Sequence, residues 1–446
     1  MDDKMLFGNN CTHDMDCKRT GLNNNVIVCG GTGSGKTKSI AETQLLYTNE
    51  TSLVVVVSKR ALVERYSKMF KRRGYEVLDM DLAHPEESQV GYDPLDFVKN
   101  NKDIVNLAKA IAFSSKGDNQ RSHDPYWDEA SVSLLSAIIA LVHQNRNQRP
   151  GFSTWDEAQG PSFCDVLKLY RELHLLSDQT GISYTSLDPY FNIEEAAKKG
   201  NFATSCYRSF TGLPRKTASC VYGCTNVLVD KVFTEELEQF IQLRRKIDFH
   251  KLAKKKTVLF VTVSPVDTGQ QTFVNILYND LFRQLFEYAE KCPNGELPRP
   301  VHVICDDFAC AGTIPDFEKH ISIFRAKRIS VSLLIQSESQ LAYMYGEGQA
   351  TTIINNCDTY VYMGGMDLKS CHNVSLRLNV PLDEALYMPI DALVVFQRGK
   401  KPVITKRYNI FEDELYQKTE VDYQEAQEEK RKKRNGEREE MKDDWN

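Results

Sequence analysis

Nine consecutive residues, Gly30-Gly31-Thr32-Gly33-Ser34-Gly35-Lys36-Thr37-Lys38, carry the spacing G-x-x-x-x-G-K-[ST]. That spacing suits the binding of a nucleoside triphosphate. Glycines let the backbone curl until successive N–H groups face phosphate oxygens. The N-terminus of a following helix adds partial positive charge. Lys36 is placed to reach the β- and γ-phosphates, and the Thr37 hydroxyl to ligate Mg²⁺. A chance glycine turn has the same letters but not the same flanks. Here Asn25 to Cys29 reads as a short buried strand before the loop, and Ser39 to Leu46 as a helix after it. Strand, glycine loop and helix together make the phosphate cradle.

Hydrolysis needs more than a cradle. It needs a carboxylate at the end of a neighbouring strand and a group that orients water. The apolar run Val301 to Cys305 ends in Asp306-Asp307. Asp306 is the candidate for the Mg²⁺ shell and Asp307 for polarising water. Gln336 closes the apolar run Ile329 to Ile335. Ligands of open α/β sheets gather at the C-terminal ends of strands, so Gln336 is placed to face a γ-phosphate or to make an ordinary strand-end hydrogen bond. Arg325 lies in the helix before that run, where pattern alone equally fits a solvated helix face.

The elements that must hold these residues alternate. Leu53 to Val57 is continuously apolar, as a central parallel strand covered on both faces should be. Ala61 to Lys71 reads as a helix and Glu76 to Met80 as a strand, a βαβαβ beginning. The character changes over the polar stretch Ser114 to Asp124, and helical patterns run from there to about His250. Within them Trp127 to His143 is apolar on most sides, so it is expected to be buried. Strands resume with Val258 to Val263 and continue at Val301, Ile329, Asp358 and Ala392; a helix over Gln270 to Glu290 separates the first two. The expected organisation is a polar lead-in over 1–24, one α/β nucleotide-binding domain in two segments (25–123 and 251–411), an all-α insertion over 124–250, and a charged tail over 412–446.

Composition narrows the partners. Net charge is −5, so no global basic field advertises nucleic acid and any DNA contact must be local. Arg244-Arg245-Lys246 with Lys251 and Lys254-Lys255-Lys256 is the densest internal basic cluster, and it also fits a solvated linker. The longest strongly apolar stretch, Leu134 to Val142, is far below the ~18 residues a bilayer helix needs, and the N-terminus lacks a hydrophobic signal core. The twelve cysteines are scattered, and some sit inside apolar strands, which suits a reducing cytosol. Neither Cys220/Cys224 nor Cys11/His13/Cys17 has the second pair a metal site needs.

Beyond the phosphate motifs, several segments resemble the cytoplasmic ATPase of conjugative type IV coupling proteins, the TraG/TraD-like family, over about residues 20 to 410. They are the lead-in Arg19 to Val26, Tyr92-Asp93-Pro94-Leu95, Asp124-Pro125-Tyr126-Trp127, Lys216-Thr217-Ala218-Ser219 and Asp306-Asp307-Phe308-Ala309 with Gly312 to Pro315. Gln336-Ser337 with Gln340-Leu341 and Tyr345-Gly346, then Asn355 to Asp358, Asp367 and Ser375, continue the likeness.

The resemblance implies a RecA-like P-loop domain with an inserted all-α domain that receives protein substrates. It implies a homo-hexameric ring that uses ATP and Mg²⁺ to move single-stranded DNA with bound relaxase toward a type IV secretion channel, at the cytoplasmic face of a bacterial membrane. It makes Arg325 the arginine offered to the neighbouring subunit's nucleotide. Three departures accompany it. The second carboxylate is Asp307, where the family usually has glutamate. Ser58-Lys59-Arg60-Ala61 replaces a D-x-K-G-E pattern. No N-terminal membrane helices precede the domain, which points to truncation or to a separate membrane anchor. The other readings are a slow or inactive nucleotide-gated adaptor that recruits relaxosome proteins, and a HerA/FtsK-like DNA pump.

Overall fold

The structure, a computed structural model, describes residues 3–113, 125–145, 161–177, 183–309 and 312–443. The Ser114 to Asp124 stretch lies outside the described residues. The strands are β1 (Lys4–Gly8), β2 (Cys11–Asp14), β3 (Val26–Cys29), β4 (Ser52–Val57), β5 (Glu76–Asp81), β6 (Leu175–Ser177), β7 (Ser183–Thr185), β8 (Thr257–Thr262), β9 (Val301–Cys305), β10 (Ile329–Ile335), β11 (Thr359–Tyr362), β12 (Ala392–Gln397) and β13 (Val403–Lys406). Nine of them form one sheet in the order β13-β12-β11-β3-β10-β9-β4-β8-β5. From β11 to β5 all neighbours are parallel; β12 and β13 join antiparallel at one edge.

Parallel strands buried on both faces explain the continuous valines of β4, which is buried at every position. Alternate residues feed opposite layers. Val54 and Val56 join one core with Ile27 and Cys29. Leu53, Val55 and Val57 join a second core with Val26, Val28 and the Arg60–Arg72 helix. The Thr268–Lys291 helix and the inserted helices cover the first face. Pro125–Gln144 is the insertion's central helix, and its residues from Leu134 to Val142 are buried.

Segments that carried the family likeness turn out to be partners that set the sheet. Asn23 N–H donates to the Asp358 carboxylate at 2.6 Å, and Asp358 N–H returns a bond to Asn23 Oδ1 at 3.1 Å. Asn23 and Asn25 amides both reach the Asn356 carbonyl. These bonds fix the start of β3 against the start of β11, so the loop leaving β3 emerges at a set height. Tyr92 and Asp93 tie the insertion to the sheet domain. The Tyr92 hydroxyl donates to Asp280 at 2.5 Å, and Asp93 accepts the N–H groups of Leu95 and Phe163. Phe163 begins the helix Phe163–Arg171 of the insertion.

Burial pushes the Asp93 carboxyl up to about 7, with Lys246 opposing. A carboxyl raised in the folded state binds more protons folded than unfolded, so stability falls as pH rises from about 4 to about 7. Asp93→Asn is expected to flatten that part of the dependence. Urea midpoints at pH 5 and pH 8 check it: the wild type should lose more between them than the variant.

Two expectations are corrected, and the charged tail gains a definite form. The lead-in is not bare polar chain: β1 and β2 form a hairpin with Met5 and Phe7 buried, and Asp3 accepts the N–H groups of Asn49, Glu50 and Thr51 ahead of β4. The insertion is not all helical, since β6 and β7 pair within it. The tail is one helix, Glu414–Asp443, held to the Arg60–Arg72 helix by Arg65–Glu420 at 2.8 Å and by Arg72 on Asp422. Among the described residues no helix is long and apolar enough to cross a membrane, and no cluster of three His, Cys, Asp or Glu suits a metal ion.

Candidate nucleotide site

The glycine loop leaves the C-terminal end of β3. Gly30 N–H bonds the Ile335 carbonyl of β10 on one side, and Gly31 N–H bonds Gly364 beyond β11 on the other. The loop is therefore suspended between its two neighbours. Glycine is required at Gly30, where a Cβ would stand 2.7 Å from Ser34 Oγ and 2.9 Å from Met363 Cβ. It is required at Gly35 by φ of +82°. Thr37–Ala41 then wind as a wider π-type turn before the Glu42–Tyr47 α-helix.

Lys36 curls back over the loop. Its Nζ donates to the Gly30 carbonyl at 2.6 Å and to Gly31 at 3.2 Å. Burial lowers its pKa, while the charges of Asp307 and Asp306 oppose the shift. The ammonium thus sits inside the curl, where a terminal phosphate gives it a better partner than two neutral carbonyls. Lys38 differs. Its Nζ pairs with the buried Glu42 at 2.8 Å and reaches the Tyr416 hydroxyl at 3.1 Å, so its side chain serves the helix packing and leaves the loop.

Asp306 stands at the end of β9, two strands from β3. The Thr37 hydroxyl donates to both of its carboxylate oxygens, at 2.8 and 2.9 Å. Residues 269 positions apart in sequence meet as the phosphate reading requires. Burial raises the Asp306 pKa, and the Thr37 bond and Lys36 work against it. A hydroxyl and a carboxylate side by side are hard oxygen donors of the kind Mg²⁺ takes. Asp307 follows with φ of +55°, a left-handed conformation that turns its side chain out of the strand alternation. Gln336 Nε2 lies 3.5 Å from Asp307 Oδ1, the outer limit of a hydrogen bond. The Gln336 N–H is held by Gln340 Oε1 at 3.0 Å.

Arg325 is not brought to this cluster. It is exposed in the Phe317–Lys327 helix, which precedes the start of β10. The loop lies at the other end of that seven-residue strand, ~23 Å away along it. Part of the basic cluster is paired with acids of its own chain, while Arg244, Lys254 and Lys255 are exposed. Arg245 and Lys251 meet Glu76, Lys256 meets Glu50, and Lys246 is half-buried.

Sequence reasoning passed over Arg407, which stands against the loop at Gly35, and Phe411, which lies by the end of the Lys38 side chain. Neither belongs to a recognisable local spacing, so only the fold reveals them.

A family model described as "Type IV secretory system Conjugative DNA transfer" matches residues 2–378. The chain belongs to this family. A comparison with curated proteins found no match. Among solved structures, the plasmid coupling protein TrwB in complex with the ATP analogue ADPNP is similar with a TM-score of 0.60 at 15% identity, covering 87% of this chain and 86% of that one. TrwB with ADP and Mg²⁺ gives 0.60 at 15% identity, over 86% and 85%. VirB4 of Thermoanaerobacter pseudethanolicus gives 0.55 at 11% identity, over 91% and 96%. The fold is therefore the expected α/β one, a RecA-like P-loop domain carrying a largely helical insertion. As a TraG/TraD-like coupling protein of conjugative transfer, the chain places the family's loop and acidic strand end in direct contact through Thr37 and Asp306.

Proposed function

We propose that this chain is the ATP-driven coupling motor of a type IV secretion system, moving single-stranded DNA with its bound relaxase to the channel. The observation that carries the reading is the Thr37–Asp306 contact beside Lys36 in a member of a conjugative DNA-transfer family. TrwB has been seen with ADPNP and with ADP and Mg²⁺, and we assign ATP and Mg²⁺ to this chain. Within the Gly30 to Lys38 loop, the N–H groups of Gly30, Gly31 and Ser34 are held by Ile335, Gly364 and Gly31; the loop's remaining N–H groups and the Lys36 ammonium bind the phosphates. Thr37 and Asp306 hold the metal, which when bound neutralises charge on the phosphate oxygens. Asp307 accepts a hydrogen bond from the attacking water's O–H and so orients it. Gln336, beside Asp307, senses the terminal phosphate.

Each site is completed by Arg325 of a neighbouring copy in a homo-hexameric ring. The helical insertion receives relaxase and other relaxosome proteins. Channel subunits hold the ring at the cytoplasmic face of the bacterial membrane.

Steady-state ATP hydrolysis with and without single-stranded DNA tests this, with Asp307→Glu alongside. DNA-stimulated turnover that the variant preserves or raises is expected, because the longer carboxylate restores the reach usual in the family. Tight ATP binding with no turnover in an assembled, DNA-bound sample overturns the motor and assigns the chain to nucleotide-gated recruitment.

A further inference from the structure

The acidic pair and Gln336 lie on one side of the loop, over β10 and β9. If that side holds the metal and the terminal phosphate, as proposed above, the inner phosphate and the nucleoside must leave on the other side. That other side is built by β11 and by the chain following β13.

Arg407 comes directly after β13 and lies against the loop. A Cβ on Gly35 would sit 3.7 Å from its Nη1 and 4.0 Å from its Cδ. Its Nη2 donates to the Met363 carbonyl at 3.0 Å, next to the Gly364 that holds Gly31. Its Nε is buried and has no hydrogen-bond partner. Among the described residues no carboxylate forms an ion pair with it; Asp391, the acid that most influences it, is bonded to Lys406 at 3.3 Å. A half-buried guanidinium tied to one neutral carbonyl is costly on its own. Burial accordingly lowers its pKa. An anion seated on the loop removes that cost.

Phe411 stands next along the chain, 60% exposed despite its size. It is not loose. Tyr416, itself buried, meets it edge-on at 5.5 Å, and the Lys38 ammonium lies 5.8 Å from its ring centre. Lys38 is the last residue of the loop motif and its side chain runs from the loop onto Glu42 and Tyr416, so this ring stands where that side chain ends, one lysine length from the loop's exit, and is largely exposed.

We propose that Arg407 and Phe411 form the nucleoside end of the site: the guanidinium bonds an inner phosphate oxygen and the phenyl face stacks on the base. This rests on the nucleotide reading above and adds two residues to it. Arg407 gives the charge-assisted bond for which its fork is suited. Phe411 gives stacking without reading a base edge, so the ring takes any purine.

Calorimetric titration of the full chain with Mg·ADP and with Mg·pyrophosphate tests this, using Arg407→Gln, Arg407→Lys, Phe411→Ala and Lys36→Ala. Phe411→Ala is expected to weaken ADP by about 5- to 100-fold and to leave pyrophosphate unchanged, since only ADP carries a base. Arg407→Gln is expected to weaken ADP by about 10-fold or more, with Arg407→Lys recovering part of the loss. Melting temperatures without ligand should match the wild type. ADP affinities within about twofold of wild type for Phe411→Ala and Arg407→Gln, with Lys36→Ala defective, overturn this proposal alone. Equal losses of ADP and pyrophosphate in Phe411→Ala also overturn it, because they mark a structural role. If Arg407→Gln lowers the melting temperature, Arg407→Lys decides, and failure to recover ADP binding counts against the contact. Normal binding by Lys36→Ala removes the nucleotide site itself.

Discussion

Lys36→Ala is expected to lose Mg·ATP binding by about 100-fold or more, with little change in folding. The argument is one of alternatives. In the structure the ammonium is hydrogen-bonded to the Gly30 and Gly31 carbonyls and also offsets the buried Asp306, so its removal leaves two backbone acceptors near water and a carboxylate that keeps its Thr37 bond and can take a proton. Stability therefore moves little. A bound triphosphate, in contrast, brings several negative oxygens into the curl, where the lysine ammonium already sits. The loop N–H groups and Thr37 alone cannot neutralise that charge. Calorimetric titration beside a urea melt separates the two effects. Unchanged ATP affinity in a folded variant removes the P-loop assignment, and a collapsed melting transition shows that the lysine is structural.

The loop was legible because its chemistry is local. Glycine at Gly30, Gly33 and Gly35, a lysine and a hydroxyl stand within eight residues, and the apolar strands on either side read directly as buried. Asp306 was legible for a similar reason, since a carboxylate at the end of an apolar run marks the C-terminal edge of a parallel sheet. Its contact with Thr37 depends on strand order, which put β9 within reach of β3. Other parts were hidden because their meaning is spatial. β13 is short and mostly exposed, and only its pairing with β12 makes it a strand. β1 gains its burial from lying near Thr405 and the segment ahead of β4, far away in sequence. The Asn23 and Asp358 segments each looked like a family signature, and the reason both matter is that they bond one another. Arg407 sits in a charged stretch where no spacing distinguishes it from Lys400, Lys401 or Lys406.

Arg325→Ala is expected to leave ATP binding within about threefold of wild type while lowering turnover on the order of 10³-fold. The separation follows from position. Arg325 lies at the opposite end of β10 from its own loop, exposed and without an ion pair among the described residues. It touches nothing that shapes its own phosphate cradle, so loss of the side chain spares binding. In the head-to-tail ring proposed above, the same exposed edge would face the next copy's site, where a guanidinium would stabilise charge that develops only as the phosphoryl bond breaks. That geometry makes the defect complementable. Lys36→Ala protein cannot hydrolyse ATP at its own sites but still presents Arg325. Arg325→Ala protein has intact loops and no finger. In an equal mixture, about one interface in four pairs an intact loop with an intact finger. Turnover near that fraction of wild type, from two inactive proteins, is the expected result. Proportional inactivity at concentrations where rings are seen by light scattering sinks the shared site and returns Arg325 to a solvated helix face. An Arg325→Ala protein that turns over normally on its own does the same. Arg325→Lys sharpens the test, because a point charge without the planar fork should rescue little of the rate.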